Sequence, residues 1–217
     1  SLHDALPIYL IDNSIDLNEY KPAYIYEVEY YQGTSQPSIT AVLVRLIKKD
    51  VDLDLDGEHL SFIYRKDDLT LLGYTNMKTQ ENKHLTDHQT ALDRACLFLK
   101  HFAFDLINKD TEIPKLLKIA IGERMTFKPA LLIDNVEIRW IDEHTETITK
   151  NGIRFSITGL KVKMHLPKTG LWAWVIVDKH GYVITFERNI SWNFPQMKRE
   201  TQMWLHDKWL IAQKIIK

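Results

Sequence analysis

The densest local chemistry in the sequence lies in RETQMWLHDKWL, Arg199 to Leu210, where His206 stands beside Asp207. A histidine next to a carboxylate is the pairing used by a general base or by one arm of a metal site. On a helix, Arg199 and Glu200 would face His206 and Asp207, because residues three, four and seven apart lie on related faces. The chain has no H-E-x-x-H, G-x-S-x-G or C-x-x-C to complete such a site. His206 is therefore expected to be a surface or helix-packing residue. A small hydrolase-like enzyme using His206 and Asp207 stands as the alternative.

DLDLDG, residues 52–57, spells the first half of a calcium loop, with Asp52, Asp54 and Asp56 as the candidate ligands. The twelfth position of that loop should be a bidentate Glu and is Ile63. On a strand the three carboxylates would also stand nearly 7 Å apart in succession, at about 3.3–3.4 Å per residue, too spread for one ion. A solvated acidic strand face running into an Asp56-Gly57 turn is the expectation, and a calcium-stabilised domain is the further alternative. His84 and His88 have zinc-like spacing but straddle an expected helix start. Cys96 sits beside an apolar stripe and reads as a small buried hydrophobe. No metal and no cofactor are expected.

All six tryptophans fall in the second half. Trp172 and Trp174 are two apart, so on a strand they share a face and could stack a sugar or anchor a protein interface. The competing expectation is a core strand, since Ala173, Val175 and Val177 make the other face apolar too. Lys161 and Lys163 share a strand face opposite Val162 and Met164, as an anion-binding strip or a solvated edge.

The elements that must position these residues follow from periodicity. AYIYEVEYYQ (23–32) and ITAVLVRLI (39–47) read as a hairpin across a Gly-Thr-Ser-Gln-Pro-Ser turn, EHLSFIYRK and LTLLGY as further strands, and Val51, Leu53 and Leu55 alternate with aspartates as another. Thr86-Asp87-His88-Gln89 spells a capping box, predicting a helix from Thr86 to about Asn108. In the second half VEIRWIDE, GIRFSITGLKVKMHL, LWAWVIVD and YVITFER form an antiparallel meander, with Asn151-Gly152 and Asp178–Gly181 as turns. Asn193-Phe194-Pro195-Gln196 then predicts a closing amphipathic helix. The fold class expected is α+β: antiparallel sheets each followed by a long amphipathic helix, in two similar β-then-α halves. The units are an irregular lead-in at 1–22, a β-then-α unit at 23–110 and a β-meander-then-α unit at 111–217. Residues 1–8, SLHDALPI, look like translated sequencing-adapter read-through.

The strand order, the phrase VDKHGYVITFER and the closing helix resemble peptidase-propeptide-type domains of bacterial envelope proteins, over Leu69–Asn108 and Leu171–Lys217. The resemblance is topological and carries no functional residue over. It implies a non-catalytic inhibitory or interaction role.

Composition narrows the function classes. The chain has 217 residues, with 28 basic and 29 acidic side chains. That near-neutral balance removes the general electrostatic case for nucleic acid. One cysteine excludes an internal disulfide, and no apolar run is long enough to span a bilayer as a helix. The expected function is a non-enzymatic binding or interaction protein that presents a sheet face or the Trp-rich surface to a protein or carbohydrate partner. The compartment stays open.

Overall fold

The computed structural model describes residues 15–52, 57–80, 84–116 and 125–216, with the backbone alone for 125–130. Nine strands form one antiparallel sheet: β1 (Tyr20–Tyr30), β2 (Ile39–Lys48), β3 (His59–Arg65), β4 (Leu71–Met77), β5 (Met125–Ile133), β6 (Val136–Lys150), β7 (Ile153–Leu166), β8 (Leu171–Val177) and β9 (Val183–Ile190). Their order is β1-β2-β3-β4-β9-β8-β7-β6-β5, two meanders whose last strands pair with each other. Gly73 faces Glu187, Tyr74 faces Phe186 and Thr75 faces Thr185 across that central seam.

This corrects the expected α+β class. The protein is mostly β, and among the described residues only one helix, α1 (His88–Phe102), exceeds two turns. Its N-cap is Asp87, whose side chain accepts from the Thr90 amide. Gln89 does not reach back to a cap but bonds the Leu116 amide and the Asp93 carboxylate. The helix stops short of Asn108 because the next turn is engaged elsewhere. Asn135 bonds the carbonyls of Asp105 and Leu106, and the Asp105 carboxylate holds Arg188 on β9 through two hydrogen bonds of 2.9 and 2.7 Å.

The closing helix is also absent, and with it the feature on which the propeptide-like resemblance rested. Trp192–Asn193 (β10) and Lys198–Arg199 (β11) instead form a small hairpin. Asn193 does accept from the Gln196 amide as a cap residue would, but Met197 takes φ of 47° and turns the chain back. Arg199 then donates to the carbonyls of Thr201 and Gln202, removing acceptors a helix would use internally. Beyond it the chain runs irregularly to a short helix, α2 (Asp207–Ala212). We call residues 200–216 the strap.

LWAWVIV is buried along its whole length because both of its faces are covered. Successive strand residues point to opposite faces. Ala173, Val175 and Val177 pack with α1 residues such as Ala95 and Leu99, whereas Trp172, Trp174 and Ile176 pack with Ile148, Ile157 and Ile190 on the other side. On that second face the strap covers β1–β4, with Leu205 and Leu210 seated on Leu43, Ile63 and Leu72. Between the strap cluster and the tryptophan cluster the sheet is left uncovered, and there a cavity opens.

Candidate functional site

The cavity has a volume of about 720 Å³. Its floor is central sheet: Trp174 and Ile176 of β8, Thr185 and Glu187 of β9, and Lys161 of β7. The strap and hairpin form one wall with Arg199, Met203, Leu205, His206 and Trp209, and the far end of β6 forms the other with His144, Glu146 and Ile148.

Glu187 is the electrostatic centre. It sits in a run of eight buried residues on β9, where an ionised carboxylate requires partners. Arg199 Nη2 donates to one oxygen at 2.7 Å, and His206 Nε2 lies 3.2 Å from the other. Burial pushes this carboxyl up, but the charge of Arg199 and the hydrogen bond from His206 outweigh it and hold Glu187 far below the usual range. His206 is pushed down by burial and more strongly up by Glu187, so its net shift is upward. The imidazolium is thereby favoured, and His206 is a donor to Glu187 rather than a free base.

Sequence proximity misled in one respect. His206 and Asp207 are adjacent but point into different networks. Asp207 pairs with Arg45 of β2, beneath the strap, while His206 joins Glu187. Arg199 meets His206 through Glu187 and not along a helix face, and Glu200 turns away to accept from Ser191 Oγ at 2.5 Å.

The tryptophan pair and the lysine pair come together on one face. Lys163 faces Trp174 across the β7–β8 ladder, and His165 faces Trp172. Lys161 Nζ lies 4.2 Å from the centre of the Trp174 ring. Lys163 Nζ is surrounded by indoles, 4.5 Å from Trp140, 5.1 Å from Trp172 and 5.0 Å from Trp192. Burial, aided by the Lys161 charge, lowers the Lys163 amine to about 8. Trp174 is 6% exposed and lines the cavity; Trp172, 7% exposed, belongs to the cluster beside it and packs edge-on against Phe194 of the hairpin tip.

The remaining sequence candidates lie apart. Asp54 and Asp56 fall outside the described residues, and Asp52 is exposed and outside any strand. Among the described residues no cluster of three or more His, Cys, Asp or Glu side chains could hold a metal ion. His84 is exposed, and His88 is the first residue of α1. Cys96 is wholly buried against the sheet, and burial raises its thiol to about 12, which keeps it protonated at neutral pH.

Three groups that the sequence reading passed over help define the site: Glu187, Arg45 and His59. His59 lines the cavity and is buried, its Nδ1 2.6 Å from Ser61 Oγ. Burial, with the nearby Arg45 charge, lowers its imidazole to about 3, so it is neutral. The available signal was a charge inside an apolar run: Arg45 in ITAVLVRLI and Glu187 in YVITFER each demanded a buried partner.

No protein-family model, no curated protein and no solved structure matches the chain.

Proposed function

We propose that the protein binds a small, largely apolar molecule in the cavity between its sheet and its strap, without transforming it. The observation that carries this reading is the cavity itself, about 720 Å³ between the strap cluster and the tryptophan cluster on one face of the sheet. Ligand pockets are typically ~300–1,000 Å³, mostly apolar, with a few convergent polar groups. Ile176, Met77, Ile148, Met203 and Leu205 supply the apolar lining here, and Lys161, Arg199 and His206 supply the polar groups. The site thereby moves from an outward tryptophan surface, as the sequence suggested, to an internal cleft that Trp174 shares.

The test is equilibrium binding of N-phenylnaphthylamine, a neutral apolar fluorophore whose emission rises in apolar surroundings. Saturable one-to-one binding is expected, and Met203→Trp, which fills the cavity from the strap side, should abolish it. Binding that Met203→Trp leaves untouched would place the fluorophore elsewhere and remove the proposal.

One observation favours a second reading, a small hydrolase-like enzyme. His206 faces a cavity and is hydrogen-bonded to a carboxylate, the arrangement that orients an acid or base in many active sites. In this reading His206, favoured as imidazolium, acts as general acid, with Glu187 as its positioning residue; Asp207, committed to Arg45, has no part. Turnover of p-nitrophenyl butyrate that His206→Gln reduces at least a hundredfold, with folding intact, would support it. Turnover equal to that of buffer would end it for this ester.

A further inference from the structure

We infer that the molecule taken up in the cavity carries an acidic headgroup, a carboxylate, seated against Lys161; the inference rests on the proposed binding function and names its ligand class. The carboxylates of the cavity wall are each matched. Glu187 is met by Arg199 and His206, Glu146 by His144 at 2.9 Å, and Asp207 by Arg45. Each carboxylate that lines the cavity therefore has its own cationic or imidazole partner among the described residues. Lys161 does not have a counterpart of this kind. Among the described residues no carboxylate lies within ion-pair distance of its ammonium, which sits 4.2 Å from the centre of the Trp174 ring and feels Glu187, Glu146 and the cross-strand Asp142 only from beyond that distance.

Its position makes this more than a surface lysine. Lys161 lies mid-strand on β7, opposite Ile176, on the face that carries the cavity. Its ammonium is thus half-buried at the floor of an apolar cleft, where hydration is reduced and a charge-assisted hydrogen bond to an incoming anion gains strength. Lys198, on the hairpin that edges the same cavity, adds a second positive charge. The polar end of the cleft is accordingly cationic, and the rest is lined by Ile176, Ile148, Met203 and Leu205. An apolar body ending in a single carboxylate matches both features. A cationic amphiphile would set its charge against Lys161, and a neutral one would leave the ammonium unpaired in a drier site.

The experiment compares three molecules with the same twelve-carbon chain as competitors of N-phenylnaphthylamine: dodecanoate, dodecanol and dodecyltrimethylammonium, each below its aggregation threshold. Dodecanoate should displace the fluorophore about tenfold better than dodecanol, the factor that one charge-assisted hydrogen bond supplies, and the ammonium compound least well. Lys161→Met should bring dodecanoate level with dodecanol while leaving dodecanol unchanged, which also reports that the cavity is intact. Lys161→Arg should keep the preference. Equal displacement by dodecanoate and dodecanol in the unaltered protein would overturn the acidic headgroup and leave the binding reading standing. No displacement by any of the three, together with no saturable fluorophore binding, would overturn the binding reading itself.

Discussion

Arg45, in the middle of β2, and Asp207, at the first turn of α2, form an ion pair that is 0% and 3% exposed, joining the second strand of the sheet to the strap across 162 positions of sequence. The pair fixes where the strap lies, and the strap in turn forms the wall of the cavity. Removing one partner leaves an uncompensated buried charge, which typically costs about 3–5 kcal/mol. Arg45→Met and Asp207→Leu should each lower stability by roughly that amount in urea denaturation. The double variant should recover most of the loss, because apolar replacement of a whole buried pair is often neutral.

Stability should depend on pH through two histidines of opposite sign. His59 falls from 6.5 to about 3 in the folded state, so the unfolded chain binds the extra proton. Its contribution is full above 6.5 and declines as pH falls towards about 3. His206 is raised, so its contribution is full below its unfolded value near 6.5 and is lost as pH rises through the folded value. Urea midpoints measured from pH 4 to 9 should fall on both sides. His59→Gln should flatten the acid limb, and His206→Gln the alkaline one.

The indoles around Lys163 provide an optical reporter. With the amine lowered to about 8, tryptophan emission should step with a midpoint near that pH, since a charge 4.5–5.1 Å from three ring centres alters their surroundings. Lys163→Met should remove the step and leave the fold, judged by far-ultraviolet circular dichroism, unchanged. A step that persists in the variant would assign it to another group.

Gly159 on β7 allows a close approach within the sheet. A Cβ there would lie 2.6 Å from the Val177 carbonyl oxygen and 2.9 Å from the Ile184 Cδ1. Because the nearer neighbour is backbone, Gly159→Ala should destabilise by about 1–3 kcal/mol, as overpacking does in a dense interior. Thermal unfolding of the variant measures it.

Much of the strand content was legible, because alternation and turn chemistry are local. Asn151 and Gly152 take φ of 52° and 75°, the two positive values that a two-residue hairpin turn needs and that this dipeptide favours. The helix at 88–102 was legible from its apolar stripe. The closing helix was misread because its cap and periodicity are locally sound and are overridden by contacts a sequence does not display: the turn at Met197, the hold of Arg199 on the Thr201 and Gln202 carbonyls, and the burial of Leu205 and Leu210 on a distant sheet face. The union of both meanders through Gly73 and Glu187 was hidden for the same reason, since nothing in either strand names its partner. For the site, the residue types were visible but not their pairing. His206 and Asp207 were read together because they are adjacent, whereas the fold sends one to Glu187 and the other to Arg45.

The most direct test of cavity binding is a heteronuclear NMR titration of the unaltered protein with N-phenylnaphthylamine. Saturable shifts are expected, centred on the Trp174 indole, the Ile176 and Leu205 methyls and the Met203 methyl, with the Cys96 side of the sheet unmoved. Shifts confined to the outer hairpin around Phe194, or none at concentrations that saturate fluorescence, would contradict cavity binding.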